Sequence, residues 1–475
     1  MTRRRSYDRS IIEGPVTPAV WKLAWPTMLQ NMIGGLQGLV DHAMVGNYIG
    51  FTGNAAIGIA WQIHLVVIVF IASVFSGMGV LVARFTGANE PDKVNRTVQQ
   101  AFMVSVGLSI GVMAPVGYLL SPWLLDLVQA TPEVQAEALP YLRTMFVFGV
   151  GNLLFFMAGG AFRSAGDART PLYLGVAYTV LNILLNVVFI GGLGPIPAFG
   201  TLGAAMGTVL SAGIVSGWVV VMLFRGKAVV AFPKDASWWP DWQLVRELFR
   251  FGLPAGLQGV AMNVGAVLLL RFIGGLPNSA EAQAAYAVSY TQLFSFITWT
   301  SVGLMSAAAT VAGQNLGAKR PDRTVEGVKA AAMMGLGVAL GMGSLFVLAP
   351  SFLLGLFGMD DQISLTLAAE LLRYLTVSGL FITVALAYTG GLQGTGDTRS
   401  PLYISLISQV ALPLGLCFAV DQVWGLEAWV IWTAIVLGHI TRAVLSVARF
   451  RQGRWRTISV EIGEAPGGIR KRTIG

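Results

Sequence analysis

The stretch FRSAGDARTPLY (residues 162–173) is written a second time, 230 positions later, as LQGTGDTRSPLY (residues 392–403). Gly166, Asp167, Arg169, Pro171, Leu172 and Tyr173 return as Gly396, Asp397, Arg399, Pro401, Leu402 and Tyr403. A polar, proline-marked loop kept twice at one spacing points to an internal repeat, and the chain on either side shows what is repeated.

That chain is greasy. Of its 475 residues 55% are apolar and only 11% charged, with a single cysteine and three histidines. Soluble domains carry roughly a quarter charged residues, so this is an all-α integral membrane protein. The excess of basic residues comes without a basic face or aromatic platform, which excludes a nucleic-acid partner. Cys417 lies inside an apolar run, so there is no disulfide framework and no thiolate metal site. The N-terminus MTRRRSYDRS lacks the short apolar stretch and cleavage site of a signal peptide. It reads as a retained cytoplasmic tail.

A membrane helix needs about 20 apolar residues. Runs of that length lie near 22–48, 55–84, 98–120, 140–162, 171–193, 202–224, 248–273, 284–312, 328–350, 371–393, 401–420 and 427–449. With the N-terminus inside and twelve spans alternating, 28 of the 31 Lys and Arg residues fall on the cytoplasmic side, the count running into a tail from Arg442 onward. Only Arg143, Arg271 and Arg373 fall towards the other side. The positive-inside rule predicts such a bias, and a miscounted span would scramble it. Both termini are therefore expected in the cytoplasm.

The repeat extends beyond the opening loop. GANEPDKV (87–94) matches GAKRPDRT (317–324), Leu142-Arg143 matches Leu372-Arg373, and PTMLQ (26–30) matches PAGLQ (254–258). Six spans of similar length account for the offset. Because six is even, both halves enter from the same side, and a pseudo-two-fold axis along the membrane normal relates them. The expected organisation is a six-helix lobe over 1–224, a cytoplasmic linker over 225–247, a second lobe over 248–450 and a basic tail over 451–475. In the repeated loop, Thr170-Pro171 and Ser400-Pro401 read as helix starts, with the hydroxyl as N-cap and proline at the first helical position. The loop is either a plain turn or part of an inner gate. Neither copy has a phosphate-cradling glycine pattern.

Twelve spans in two halves, with G-D-x-R-[TS]-P after spans four and ten and G-A-x-x-P-D after spans two and eight, resemble the multidrug and toxic compound extrusion (MATE) family over nearly the whole chain. The resemblance implies a secondary antiporter that expels amphipathic, often cationic, organic compounds against an inward flow of H⁺ or Na⁺. It also implies a multi-pass monomer in the plasma or inner membrane of a prokaryote, with no cofactor beyond the coupling ion and no enzymatic activity. A lipid or lipid-linked oligosaccharide flippase of the related superfamily is the alternative. The near absence of Arg or Lys within the predicted spans speaks against it. Three scattered histidines give no enzyme site.

Residue by residue, Asp41 is the only acid well inside a predicted span, and its counterpart region, Gly265 to Leu269, is apolar. Ionisable groups inside a membrane mark ion paths by default. An apolar surrounding disfavours a carboxylate's charge, which suits Asp41 to proton uptake and release. If span one begins earlier than residue 22, Asp41 is instead an outer-surface acid. Asn182 and Asn186, four apart in span five, share one helix face. They either complete a polar site or hold helices together. The DinF-like branch of the family implies a first-lobe network of an acid on span one with polar groups on spans five and six, here Asp41, Asn182, Asn186 and Thr208. The NorM-like branch places acids in spans seven and ten, where the matching stretches here have none. Met32, Trp61, Phe155, Met262, Tyr286 and Trp299 are candidates for a promiscuous cavity, with plain packing as the other reading. Pro26 and Pro254 should kink spans one and seven.

Overall fold

A computed structural model describes residues 7–233 and 237–460. The predicted basic residues Arg3, Arg4, Arg5 and Lys234 and the tail beyond 460 lie outside the described residues. Twelve helical rods follow one another: α1 (Val16–Ile49), α2 (Phe51–Gly87), α3 (Pro91–Leu127), α4 (Pro132–Phe148 and Val150–Ser164, bent by 54°), α5 (Arg169–Gly191) and α6 (Gly200–Arg225). The second half holds α7 (Trp242–Gly274), α8 (Ser279–Gly317), α9 (Pro321–Leu348), α10 (Gln362–Thr395), α11 (Arg399–Asp421) and α12 (Ala428–Arg451). There is no β-strand among the described residues, only the isolated bridge between Leu193 and Ile196.

Ten of these helices are long and apolar enough to cross a bilayer, and the bent α4 makes an eleventh. The remaining rod is α1. It carries Gln30, Asn31, Gln37, Asp41 and His42, a polar face that an isolated lipid-facing helix does not tolerate. The polarity has to be covered by neighbouring helices, and that requirement locates the site. Outward-facing Ile110, Leu119, Leu184, Trp218 and Phe352 are exposed in the molecule, as expected of a surface solvated by lipid.

The buried apolar residues separate into one core within α2–α6, a second within α7–α12, and a third under both. The third shows how the halves join. Val16, Val20 and Leu23 of α1 pack with Leu304, Ala308 and Val311 of α8. Leu244, Leu248 and Phe251 of α7 pack into the first-half core. The leading helix of each half thus crosses to the other half at the end that carries the N-terminus.

At that end the helices touch backbone to backbone. A Cβ on Gly77 of α2 would lie 1.9 Å from the Leu248 carbonyl oxygen of α7, and one on Gly252 would lie 1.9 Å from the Ser73 carbonyl oxygen. Gly87 and Gly317 make the same reciprocal approach between α2 and α8, at 1.9 Å from the Gln314 oxygen and 2.1 Å from the Arg84 oxygen. Positions 87 and 317, like 84 and 314, are related by the repeat offset, so the contact follows the pseudo-symmetry.

The repeated loops adopt one geometry. Gly166 and Gly396 have φ of 95° and 96°, a left-handed conformation that a side chain makes costly. The helices begin at Arg169 and Arg399, two residues earlier than expected, so Pro171 and Pro401 lie in the first turn rather than at its first position. The capping group is also different. Asp167 accepts from the Thr170 amide at 3.0 Å and hydroxyl at 2.6 Å, and Asp397 accepts from the Ser400 amide at 3.2 Å and hydroxyl at 2.8 Å. An ionised carboxylate is the stronger acceptor for a helix's orphan N–H groups, and the hydroxyls act as donors to it. Asp397 further accepts from Arg449 Nε of α12 at 2.9 Å. Asp397→Ala removes the cap and this link together, so a loss of about 1–2 kcal/mol is expected, seen as a lower melting temperature in detergent. Arg449→Gln should show the smaller part of it.

In the linker, α7 starts at Trp242, inside the expected 225–247 segment. The rest is tied to α3 by a hydrogen bond from the Ala231 amide to Asn95 Oδ1 at 2.9 Å, one from Gln100 to the Trp239 carbonyl at 3.1 Å, and the Arg96–Asp241 ion pair.

Candidate functional site

Within α1, Gln30, Gly34, Gln37 and Asp41 follow a spacing of four, three and four and therefore lie along one helix face. That face borders a cavity of about 440 Å³ lined also by α2, α4, α5, α6 and α8. Asp41, Trp61, Phe155, Thr208 and Trp299 all line it. Asn182 and Asn186 stand directly behind, both fully buried.

A continuous hydrogen-bond chain joins these groups. Asn186 Nδ2 donates to Asp41 Oδ1 at 2.8 Å and lies 3.4 Å from Asn182 Oδ1. Gln37 Nε2 donates to Asn182 Oδ1 at 3.1 Å, and Asn182 Nδ2 donates to Thr208 Oγ1 at 3.2 Å. Thr208 Oγ1 in turn donates to the Ala204 carbonyl at 3.0 Å, while Thr179 Oγ1 donates to Gln37 Oε1 at 2.8 Å. The four predicted residues are thus brought together by α1, α5 and α6. Gln37 and Thr179, absent from the sequence expectation, complete the set. Gln37 was findable, since it lies one turn before Asp41. Tyr178, one turn before Asn182 and stacked on Phe155 at 5.1 Å between ring centroids, is a further lining residue found only here.

Asp41 lies eight residues before the end of α1, about 12 Å at the helical rise, in the part of the lobe remote from the N-terminus. The helix does begin before residue 22, as the outer-surface alternative required. Even so, Asp41 is only half-exposed, held by Asn186 and facing a cavity that α8 closes from across the lobes. The closing group is Trp299. Its ring sits on Gly35, where a Cβ would lie 2.3 Å away, and Asn31 Nδ2 donates to its carbonyl at 3.2 Å.

Other sequence candidates fall elsewhere. Met32 does not line this cavity; it lies about 200° around α1 from Gln30, following 100° per residue. Tyr286 is packed in the second core, stacked at 4.9 Å on Tyr290 and 6.5 Å from Trp432. Met262 lines a separate second-half cavity. Pro26 and Pro254 both sit inside unbroken helices, buried, near the inter-lobe contacts. Arg442, placed by sequence in the cytoplasmic tail, lies within α12 and is 2% exposed. Arg163 too faces inward, donating to Gln30 Oε1 at 3.2 Å. The molecule's interior therefore holds more positive charge than the apolar runs suggested.

The fit of the network is tight. Asn186 Oδ1 has no partner and points at Gly207, where a Cβ would lie 2.0 Å from it. In Gly207→Ala the amide must rotate off Asp41, and transport should fall while the melting temperature drops only slightly, because the severe clash is with a side-chain end and the nearest backbone atom, Asn186 N, is 3.3 Å away.

At the repeat offset, 228 in the leading helix as for PTMLQ and PAGLQ and 230 after it, Gln37, Asp41, Asn182, Asn186 and Thr208 correspond to Gly265, Leu269, Leu412, Leu416 and Gly438. The second half has lost every member of the network. It keeps the architecture around it: Gln258, the counterpart of Gln30, donates to Ser405 Oγ at 2.7 Å and accepts from Gln393 at 3.2 Å.

Comparison with known proteins follows the same division. The chain is 24% identical over 443 residues to a probable multidrug resistance protein NorM of Thermotoga maritima, covering 92% of this chain and 93% of that one. It is 28% identical over 425 residues to one from Agrobacterium fabrum, covering 86% and 88%. Its fold matches the outward-facing structure of a multidrug resistance MATE family transporter and a MOP superfamily transporter from Pyrococcus furiosus. Each match has a TM-score of 0.87 and 20% identity over 96% of this chain and 100% of the other. The MatE family profile matches residues 26–188 and 254–418, two blocks that open on Pro26 and Pro254. This two-lobed, all-helical membrane protein belongs to the MatE family of transporters.

Proposed function

We propose that the protein is a multidrug efflux antiporter of a prokaryotic cell membrane, exporting amphipathic or cationic organic compounds in exchange for inward protons through Asp41. The observation that carries this reading is a single carboxylate in a first-half cavity, held by one amide and without a counterpart in the second half. The relatives' names, multidrug resistance proteins, support drug efflux. The aromatic lining from Trp61, Phe155, Tyr178 and Trp299 suits flat apolar cations. Coupling in the first lobe is the arrangement implied by the DinF-like branch.

Proton rather than sodium coupling is supported by the direction of the donors. Asn186 turns its N–H towards Asp41 and Gln37 turns its own towards Asn182, where a bound cation would call for oxygens. An ionised Asp41 accepts the Asn186 hydrogen bond; a protonated one has an O–H to give, and the amide must turn its oxygen to take it. Protonation is thereby transmitted from α1 to α5 as an exchange of hydrogen bonds. That switch is the proposed link between ion and conformation.

The test is efflux of a fluorescent lipophilic cation from proteoliposomes under an imposed pH gradient or an imposed sodium gradient. Acceleration by the pH gradient alone is expected. Acceleration by sodium alone overturns proton coupling, and response to neither overturns antiport.

The inward-facing Arg163 and the buried Arg442 favour one second reading, a lipid or lipid-linked oligosaccharide flippase, because interior cations suit a phosphate headgroup. Accelerated headgroup-labelled lipid exchange in the same proteoliposomes, without cation efflux, would support it.

A further inference from the structure

A second cavity, of about 380 Å³, lies between α7, α8, α10, α11 and α12 of the second half, with Ser76 of α2 at its border. Its chemistry is the inverse of the Asp41 site. Arg442 and His439 line it at 2% and 3% exposure, one turn apart on α12, and no acid is among its lining residues. Among the described residues Arg442 makes no ion pair and no hydrogen bond. Its Nε, His439 Nδ1 and Gln409 Nε2 are buried nitrogens without partners. Leaving a guanidinium N–H unsatisfied in a membrane protein's interior is expensive. The guanidinium and the Gln409 amide nitrogen can only donate and call for an acceptor that is not part of the chain, while His439 Nδ1 takes either role with its tautomer.

Two further observations concern the same place. Tyr290 and Gln409, both lining the cavity, lie in the only two π-helical segments of the second half among the described residues, Ala287–Leu293 and Leu406–Ala411. Such segments are frequent at functional sites, because they redirect side chains inside an otherwise regular helix. The repeat offset then removes a purely architectural reason for the charge. Arg442, His439 and Gln409 correspond to Ala212, Val209 and Thr179 in the first half. The fold does not need a base here, just as it does not need an acid at Leu269.

We infer that this second-half cavity is a binding site for an oxyanion, a carboxylate or phosphate group of an amphiphile, with Arg442 as the charge partner and His439, Gln409 and Tyr290 as flanking polar groups. Arg is the side chain suited to this task, since its planar fork meets two oxygens at once and it keeps its charge when buried. The apolar part of the ligand lies against Met262, Ile382 and Leu386, which line the rest of the cavity. The site is independent of the coupling reading for Asp41 and is tested by binding alone.

The full-length protein in phosphatidylcholine nanodiscs is titrated with 1-naphthylacetate and with its isosteric cation, 1-naphthylmethylammonium, in a buffer whose bulk salt is chloride. Wild-type protein is expected to bind the carboxylate; because the cation can also bind in the separate Asp41 cavity, it is measured as a competitor of the bound carboxylate and should not displace it. Arg442→Gln should weaken carboxylate binding by roughly tenfold or more, as loss of a charge-assisted hydrogen bond implies. Arg442→Lys should recover part of it, and the exposed Arg456→Gln should bind as wild type. Replacing part of the lipid by phosphatidylglycerol distinguishes the sources. Weaker carboxylate binding there, with less phosphatidylglycerol retained by Arg442→Gln in native mass spectrometry, identifies a lipid headgroup. Unchanged binding identifies a soluble organic anion. No carboxylate binding by the wild type, displacement by the cation, or wild-type affinity in a folded Arg442→Gln would overturn the proposal. Should Arg442→Gln fail to fold, the wild-type preference and the Arg442→Lys affinity decide it.

Discussion

Asp41→Asn is expected to abolish gradient-driven efflux while leaving substrate binding largely intact. The substitution keeps the shape of the side chain and its place beside Asn186, but removes the only carboxyl group lining the first-half cavity. The chain of hydrogen bonds from Asn186 through Asn182 to Thr208 has no other acid. Asparagine at 41 mimics the neutral state permanently, so α5 never senses a change. The check is a pair of measurements on one preparation: pH-driven efflux from proteoliposomes, and equilibrium binding of the same fluorescent cation. Loss of both would make Asp41 a substrate ligand instead of a coupling group. Retention of both would remove it from the mechanism. Asn186→Leu should reduce efflux less severely, because the carboxylate survives and only its reporter is lost.

The second large effect is expected at the inter-lobe contact. Gly252→Val places a branched side chain where even a Cβ would sit 1.9 Å from the Ser73 carbonyl oxygen. Backbone cannot yield as a side-chain end does, so α7 must move off α2. Alternating access in two-lobed transporters is rocking of one bundle against the other, and the arrangement closed at the N-terminal end depends on this approach. Transport should be lost, and a Ser76→Cys reporter, which faces the inter-lobe space beside Gly77, should become reactive to an impermeant maleimide added on the N-terminal side. Gly107→Val, where nothing lies within 4 Å of the added Cβ, is the control and should transport normally. Wild-type transport by Gly252→Val would show that this contact is not part of the cycle.

Why some of this could be read in advance and some could not has a physical explanation. Lipid requires every spanning helix to be long and apolar, and turns at the membrane surface use few residue types. Span number and the repeat are therefore written locally. The acid at 41 and the amides at 182 and 186 were conspicuous for the same reason: polarity within an apolar run has to be accounted for. Gln37 was less so, since a glutamine one turn from an acid has several uses and only the position of Asn182 selects one. Met32 and Tyr286 were misplaced because rotation about a helix axis decides between cavity and packing, and neighbouring helices set that rotation. Arg442 was misread because a cation near the end of an apolar run resembles an interfacial residue. Only α7, α8, α10 and α11, gathered around that turn of α12, made it interior.

By itself, then, the sequence determined that this is a twelve-rod membrane protein in two like halves, with one acid that the second half does not repeat. Those properties depend on composition and spacing, which act within a helix or a loop. The tertiary structure alone decided that Asp41 is bound to Asn186 rather than to lipid or water, that glycines on α2, α7 and α8 bring backbones into contact, and that Arg442 lines a cavity between helices. Each is a contact between helices distant in the chain, and its energy depends on which faces meet, a quantity that no local pattern contains.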